Sequence, residues 1–144
     1  MTVIAWDGQT LSSDRQRTIG GTPTTMRKAR KVTAPDGRQF LVGCCGRSDF
    51  IQMFLAWLAG GERPVFPVTE DFYALVIDQK RRLWVIHDTL IYVQVTGIPH
   101  WAIGSGGNYA MGAMQFGATS AEAVRVACRL DVNCGLGVDS VRFA

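Results

Sequence analysis

The sequence is short of charge of either sign. Of its 144 residues, 15 are Lys or Arg and 12 are Asp or Glu, a net charge of +3 with 19% charged residues. That balance is too mild to argue for nucleic acid by itself. With 47% hydrophobic residues it excludes a wholly disordered chain and a coiled coil. There is no long apolar run. The longest, Phe50 to Ala59 with Gln52 as its polar interruption, falls far short of the ~20 residues a membrane span needs. The start, Met1 to Asp7, lacks a basic stretch followed by an apolar one, so no signal peptide is expected and the cytoplasm is the expected location. Histidine is scarce. Four cysteines (Cys44, Cys45, Cys128, Cys134) show no zinc-ligand spacing, so free thiols are expected and no metal or cofactor is. Repeats, low-complexity tracts and linkers are absent too. Residues 1–144 are expected to form one domain, large enough to bury its own core.

What is present reads as hairpins first. Thr2 to Trp6 and Gln9 to Asp14 are β-rich and flank the turn signal Asp7-Gly8. Met26 to Thr33 and Arg38 to Cys45 form a second expected pair across Asp36-Gly37. Ser48 is an expected N-cap for a helix over Phe50–Ala59, stopped by Gly60-Gly61. Phe72 to Ile77, Leu83 to Ile86, Ile91 to Val95 and Trp101 to Ile103 read as strands. Helices are expected from Asn108 to Phe116 and, after the capping box Thr119-Ser120-Ala121-Glu122, to Leu130. Gly137 to Phe143 closes the chain as a strand. This order predicts an antiparallel α+β layered fold.

Three features carry chemistry. Thr2, once Met1 is removed, would combine a hydroxyl with a free α-amine of pKa ~7.7–8.0, a base near neutrality beside its own nucleophile. The bland alternative is an ordinary second residue. Asp14 ends the return arm of the first hairpin and is brought back towards the N-terminus; strand-end aspartates are common as well. The basic run Arg27-Lys28-Ala29-Arg30-Lys31 would put Lys28 and Arg30 on one face. A lysine turned inward beside Asp14 would lower the pKa of a neighbouring hydroxyl or amine. The alternative is a solvated edge strand.

Thr2, Ser12-Ser13-Asp14-Arg15, Thr25-Met26-Arg27-Lys28 and Val42-Gly43-Cys44-Cys45-Gly46 together resemble the proteasome β-subunit family, nearest to HslV-type peptidases. Ala102-Ile103-Gly104-Ser105-Gly106-Gly107-Asn108-Tyr109-Ala110 and Asp131-Val132-Asn133-Cys134-Gly135 continue the resemblance over nearly the whole chain. It implies an N-terminal nucleophile (Ntn) hydrolase, a four-layer αββα sandwich, acting as a threonine-type endopeptidase. It implies Thr2 as nucleophile, its amine as base, and Asp14 and Lys28 as the orienting pair. Gly43 would supply the oxyanion hole, with Ser105 and Asp131 in support and Leu41 and Cys45 lining a modest apolar substrate pocket. Cys134 stands where many members have serine. The interval from Thr2 to Asp14 is shorter than usual, and Lys31 and nearby arginines compete with Lys28 for its place. The resemblance further implies a peptide or unfolded-protein substrate and an ATPase unfoldase as partner.

Asp131 ends a helix, where the dipole disfavours an anion by ~0.3–1 kcal/mol. Either turn hydrogen bonds or the cationic amine and Lys28 would compensate. The Phe50–Ala59 helix is apolar almost all round and is expected to be buried on most sides. The second helix that accompanies it in the family is missing here. This reduced helical layer predicts a homo-oligomer, with loop cover as the alternative.

Three other readings compete. One is an inactive homologue acting as a binding or assembly module. Another is a dinucleotide site at Gly104-Ser105-Gly106-Gly107, against which Tyr109 occupies the third-glycine position. The last is a cysteine hydrolase using Cys44 or Cys45 with His87 or His100. No nucleic-acid or membrane partner is expected.

Overall fold

The computed structural model describes residues 2–67 and 71–144. The first expected hairpin forms as a tight one: β1 (Ile4–Trp6) pairs antiparallel with β2 (Leu11–Asp14), Trp6 opposite Leu11 and Ile4 opposite Ser13. Asp7 closes the turn by accepting the Gln9 and Thr10 N–H groups at 2.9 and 2.8 Å. Next comes a hairpin that the sequence reading did not anticipate, β3 (Gln16–Ile19) with β4 (Thr22–Thr25), turning at Gly20-Gly21. Its residues are mostly polar and mostly exposed, so no apolar alternation marks them. β5 (Ala29–Thr33) therefore starts three residues later than Met26 and pairs with β6 (Gln39–Gly46).

β6 leads directly into α1 (Ser48–Leu58). The N-cap is Arg47 and no side chain caps the helix; Ser48 already lies inside it, a correction of one residue. After α1 come β7 (Phe72–Ile77), β8 (Leu83–His87), β9 (Tyr92–Val95), β10 (Trp101–Ile103), α2 (Gly107–Gln115), α3 (Ser120–Leu130) and β11 (Val138–Val141). Thr119 and Glu122 form the expected capping box of α3, with bonds of 3.2 and 3.0 Å.

The strands make a four-stranded sheet in the order β10-β1-β2-β11 and a five-stranded sheet in the order β5-β6-β7-β8-β9. Period-two alternation sorts their side chains into three cores. Ile4, Trp6 and Leu11 meet Leu41, Leu75 and Ile77 between the sheets. Val3 and Ala5 face the other way, onto Ala110, Val124 and Ala127 of α2 and α3. Val42, Ala74 and Val76 face Phe50, Ile51 and Phe54 of α1. The result is the expected α+β sandwich of four layers, αββα.

The α1 layer is thinner than the α2–α3 layer. Among the described residues between Leu58 and Phe72 there is no further helix. Only Phe50, Ile51 and Phe54 of α1 are buried, whereas Met53 and Ala56 are exposed, so in the single chain the helix is not buried on most sides. Among the described residues it packs on one sheet face, with the loop adding Phe66, stacked on Phe50 at 4.5 Å. No helix among the described residues is long and apolar enough to cross a membrane.

Candidate active site

The short first hairpin keeps its arms even, and that places Thr2 opposite the far end of β2. Asp14 N–H donates to Val3 O at 3.2 Å, and Val3 N–H donates to Asp14 Oδ1 at 3.2 Å. Asp14 is fully buried. It also accepts N–H groups from Gln16 and Gly135, both at 3.1 Å. Lys28 enters from the stretch just before β5. Its Nζ lies 2.8 Å from Asp14 Oδ1 and 3.0 Å from Thr2 Oγ1. The two ionic side chains are 3% and 0% exposed. Such a buried pair persists only when its geometry and extra hydrogen bonds offset desolvation, and here they do. The basic run is thus split: Lys28 is inside, while Arg27 and Lys31 are exposed.

The backbone of Thr2 is clasped from the other side by the turn after β10. Thr2 N–H donates to Ser105 Oγ at 3.2 Å, and Gly106 N–H donates to Thr2 O at 3.1 Å. Gly104 (φ +94°) passes so close that a Cβ there would lie 2.1 Å from Thr2 O. The glycine-rich turn therefore holds the chain's own N-terminal strand, which accounts for its glycines without a dinucleotide. Met1, whose removal the reading of Thr2 requires, lies outside the described residues.

Asp131 is the C-cap of α3. Hydrogen bonding from the Ser105 hydroxyl, then from Asn133 N–H (2.9 Å) and Cys134 Sγ (3.4 Å), holds its carboxyl below the ordinary aspartate value. The Ser105 hydroxyl first and the turn hydrogen bonds second thus compensate the helix dipole, and Ser105 links this carboxylate to the Thr2 nitrogen. Lys28 is turned to Asp14 and Thr2 instead. Burial, then the nearby Asp14 charge and the bond to Asp131, pushes the Cys134 thiol up to about 12.

Two sequence-assigned positions fall elsewhere. Arg47 N–H donates to Asp71 O at 2.9 Å, which fixes the phase of the β6–β7 ladder. In that phase the Gly43 N–H is spent on β7, opposite Leu75. Gly43 is glycine because Ile4 of the facing sheet crosses it, and a Cβ would lie 2.5 Å from Ile4 Cγ2. Leu41 is fully buried between the sheets. Neither lines the cleft that opens at Thr2. That cleft, about 750 Å³, is lined by Lys28, Cys45, Gly46, Arg47, Tyr73, His87 and Ser105 among others. Gly46 has φ +116°, and a Cβ on it would lie 1.7 Å from Asp71 O. The same ladder phase turns its N–H away from β7, on the edge where β5 no longer pairs with β6.

The cysteine-hydrolase pairing is not assembled. Cys45 lies opposite Tyr73, and Tyr73 opposite His87, so Cys45 and His87 are two strand spacings apart, ~9.6 Å. Burial pushes the Cys45 thiol up to about 12 and raises Cys44 as well. His100, just before β10, is buried, and its Nε2 has no hydrogen-bond partner among the described residues.

No family model matches the sequence, and no curated protein matches it. Solved structures do. The chain is similar to Thiobacillus denitrificans BPH in complex with epoxomicin, at 16% identity and a TM-score of 0.71, covering 99% of this chain and 97% of that one. It is similar to eukaryotic HslV from Trypanosoma brucei, at 19% identity and a TM-score of 0.66, covering 97% of each chain. It is also similar to the Anbu complex of Pseudomonas aeruginosa, solved as a helical assembly, at 14% identity and a TM-score of 0.71, covering 99% and 81%. At these identities the likeness carries the proteasome-like fold.

Proposed function

We propose that this chain is a threonine peptidase-like Ntn hydrolase that cleaves peptide bonds with Thr2 after Met1 is removed. The observation that carries the reading is the contact of the buried Lys28 ammonium with the Thr2 hydroxyl, 3.0 Å, in a site where Asp14 fixes the lysine. A cation at that distance stabilises the alkoxide form of the hydroxyl. Loss of Met1 would turn the Thr2 nitrogen from an amide into an amine, which takes the hydroxyl proton. The oxygen attacks a peptide carbonyl in the cleft. Gly46 N–H, at the positive end of α1, receives the oxyanion in place of Gly43. The α-ammonium of Thr2, having taken the hydroxyl proton, passes it to the leaving amine; an ester on Thr2 remains, and water hydrolyses it. Ser105 and Asp131 are positioning residues that hold the Thr2 nitrogen.

The substrate class is peptide or unfolded protein, and an ATPase unfoldase is the partner class that such a cleft would need to be fed folded chains. The exposed Met53–Ala56 face of α1 and the helical assembly of the similar Anbu complex support a homo-oligomer. The test is intact-mass spectrometry after exposure to epoxomicin, the compound bound in the similar BPH structure. The expected result is a chain lacking Met1 and carrying one adduct on Thr2, with none in Thr2→Ala. A chain that keeps Met1 and forms no adduct is an inactive binding or assembly module instead.

A further inference from the structure

The two helical layers cover their sheets unequally. Among the described residues, α2 and α3 lie on four strands, and α1 is the one helix on the other five. Strands are ~4.8 Å apart and a helix with its side chains is ~10–12 Å across, so one helix covers roughly half of such a face. The uncovered remainder is a groove of about 580 Å³. Trp57 of α1 forms its wall, and Phe40, Val76, Trp84 and Tyr92 its floor. Tyr92 meets Trp57 and Trp84 edge-on, each at 6.3 Å. Four half-buried aromatic residues converging on one concavity, rimmed by charge, mark a docking surface.

Arg38, Lys80, Arg82 and Asp78 border the groove. Arg38 is paired with Asp36 and Arg82 with Asp78, at 2.7 and 2.6 Å, so the net positive charge of the rim rests on Lys80. Asp78 further accepts the Lys80 and Arg82 N–H groups. Lys80 forms no salt bridge among the described residues. The chain's own helices do not complement this rim: α2 has no acidic residue, α3 shows Arg125 and Arg129, and the acidic residues of α1 and α3, Asp49 and Glu122, are held by Arg47 and Thr119.

We propose that the groove docks an amphipathic helix of a different, acidic protein, with leucine or aromatic residues at i, i+3, i+4 and i+7 flanked by Asp or Glu. The probe is a synthetic peptide of about four helical turns with that pattern, and its twin with every Glu replaced by Lys, added to protein carrying 5-fluorotryptophan. The expected result is that the Glu peptide shifts the fluorine signals of Trp57 and Trp84 and leaves buried Trp6 and cleft-lining Trp101 in place. Lys80→Glu, on an exposed turn, should weaken binding roughly tenfold without altering the melting temperature. Absence of binding, equal binding of the twin, or shifts at Trp101 instead would overturn the proposal. So would a change of oligomeric state in Lys80→Glu, which would make a second copy the occupant.

Discussion

The Lys28 ammonium nitrogen lies 3.0 Å from the Thr2 hydroxyl oxygen, inside the protein and 26 residues along the chain. Asp14 is its counter-charge, so nucleophile and buried ion pair form one unit. Lys28→Met leaves Asp14 buried without its counter-ion, and should cost ~3–5 kcal/mol of unfolding free energy. Peptide cleavage and epoxomicin labelling should fall by at least ~10²-fold, as for loss of one charge-stabilising donor. Chemical denaturation and single-turnover labelling check the two effects. Lys28→Met/Asp14→Asn should recover stability but not labelling.

The two glycines of β6 should separate by phenotype. Gly43→Ala presses on Ile4 and should cost ~1–3 kcal/mol of stability. Ile4→Ala in the same chain should relieve part of it, giving non-additive free energies in a double-mutant cycle. Gly46→Ala meets backbone, not a flexible side chain, at a positive φ. It should abolish labelling even in protein that remains folded by circular dichroism. Normal labelling in Gly46→Ala would return the oxyanion role to another donor.

The Asp131 carboxyl is held low chiefly by the Ser105 hydroxyl. A depressed folded-state pKa means that its favourable contribution is present at neutral pH and disappears as pH falls through the folded value. In Ser105→Ala the carboxyl resonance should titrate at higher pH than in the parent. A carbon-13 NMR titration reads this directly, and an unchanged midpoint would show that the turn bonds from Asn133 and Cys134 suffice.

Burial pushes the Cys45 and Cys134 thiols up to about 12. Native protein treated with iodoacetamide near neutral pH should therefore stay unalkylated at both, as counted by peptide mass spectrometry, and should keep its epoxomicin labelling. Rapid alkylation of Cys45 with loss of activity would favour a thiol nucleophile.

The outward face of α1 should lie in a subunit interface. Met53→Glu/Ala56→Glu, at exposed positions, should reduce the mass found by light scattering while leaving the melting transition cooperative. A parent that is already monomeric at micromolar concentration would remove the homo-oligomer.

Much of the layered fold was legible in the sequence because its strands alternate and its turns carry Asp-Gly or glycine. The β3–β4 hairpin was not, since its mostly polar, mostly exposed residues obey no burial pattern. Thr2, Asp14 and Lys28 were legible as residue types, and the even arms of the first hairpin put Thr2 beside Asp14. Which cation turned inward depended on where β5 begins, a matter of register that one residue would reverse. Gly43 and Gly46 look alike in the chain; only the ladder phase, set by pairing with β7, decides which N–H is spent on that strand. The bare aromatic floor beside α1 likewise emerges from strands far apart in sequence. Local pattern determined the elements and the chemistry they could carry. Tertiary pairing decided which groups meet, because hydrogen-bond phase and layer cover are properties of neighbouring strands and helices.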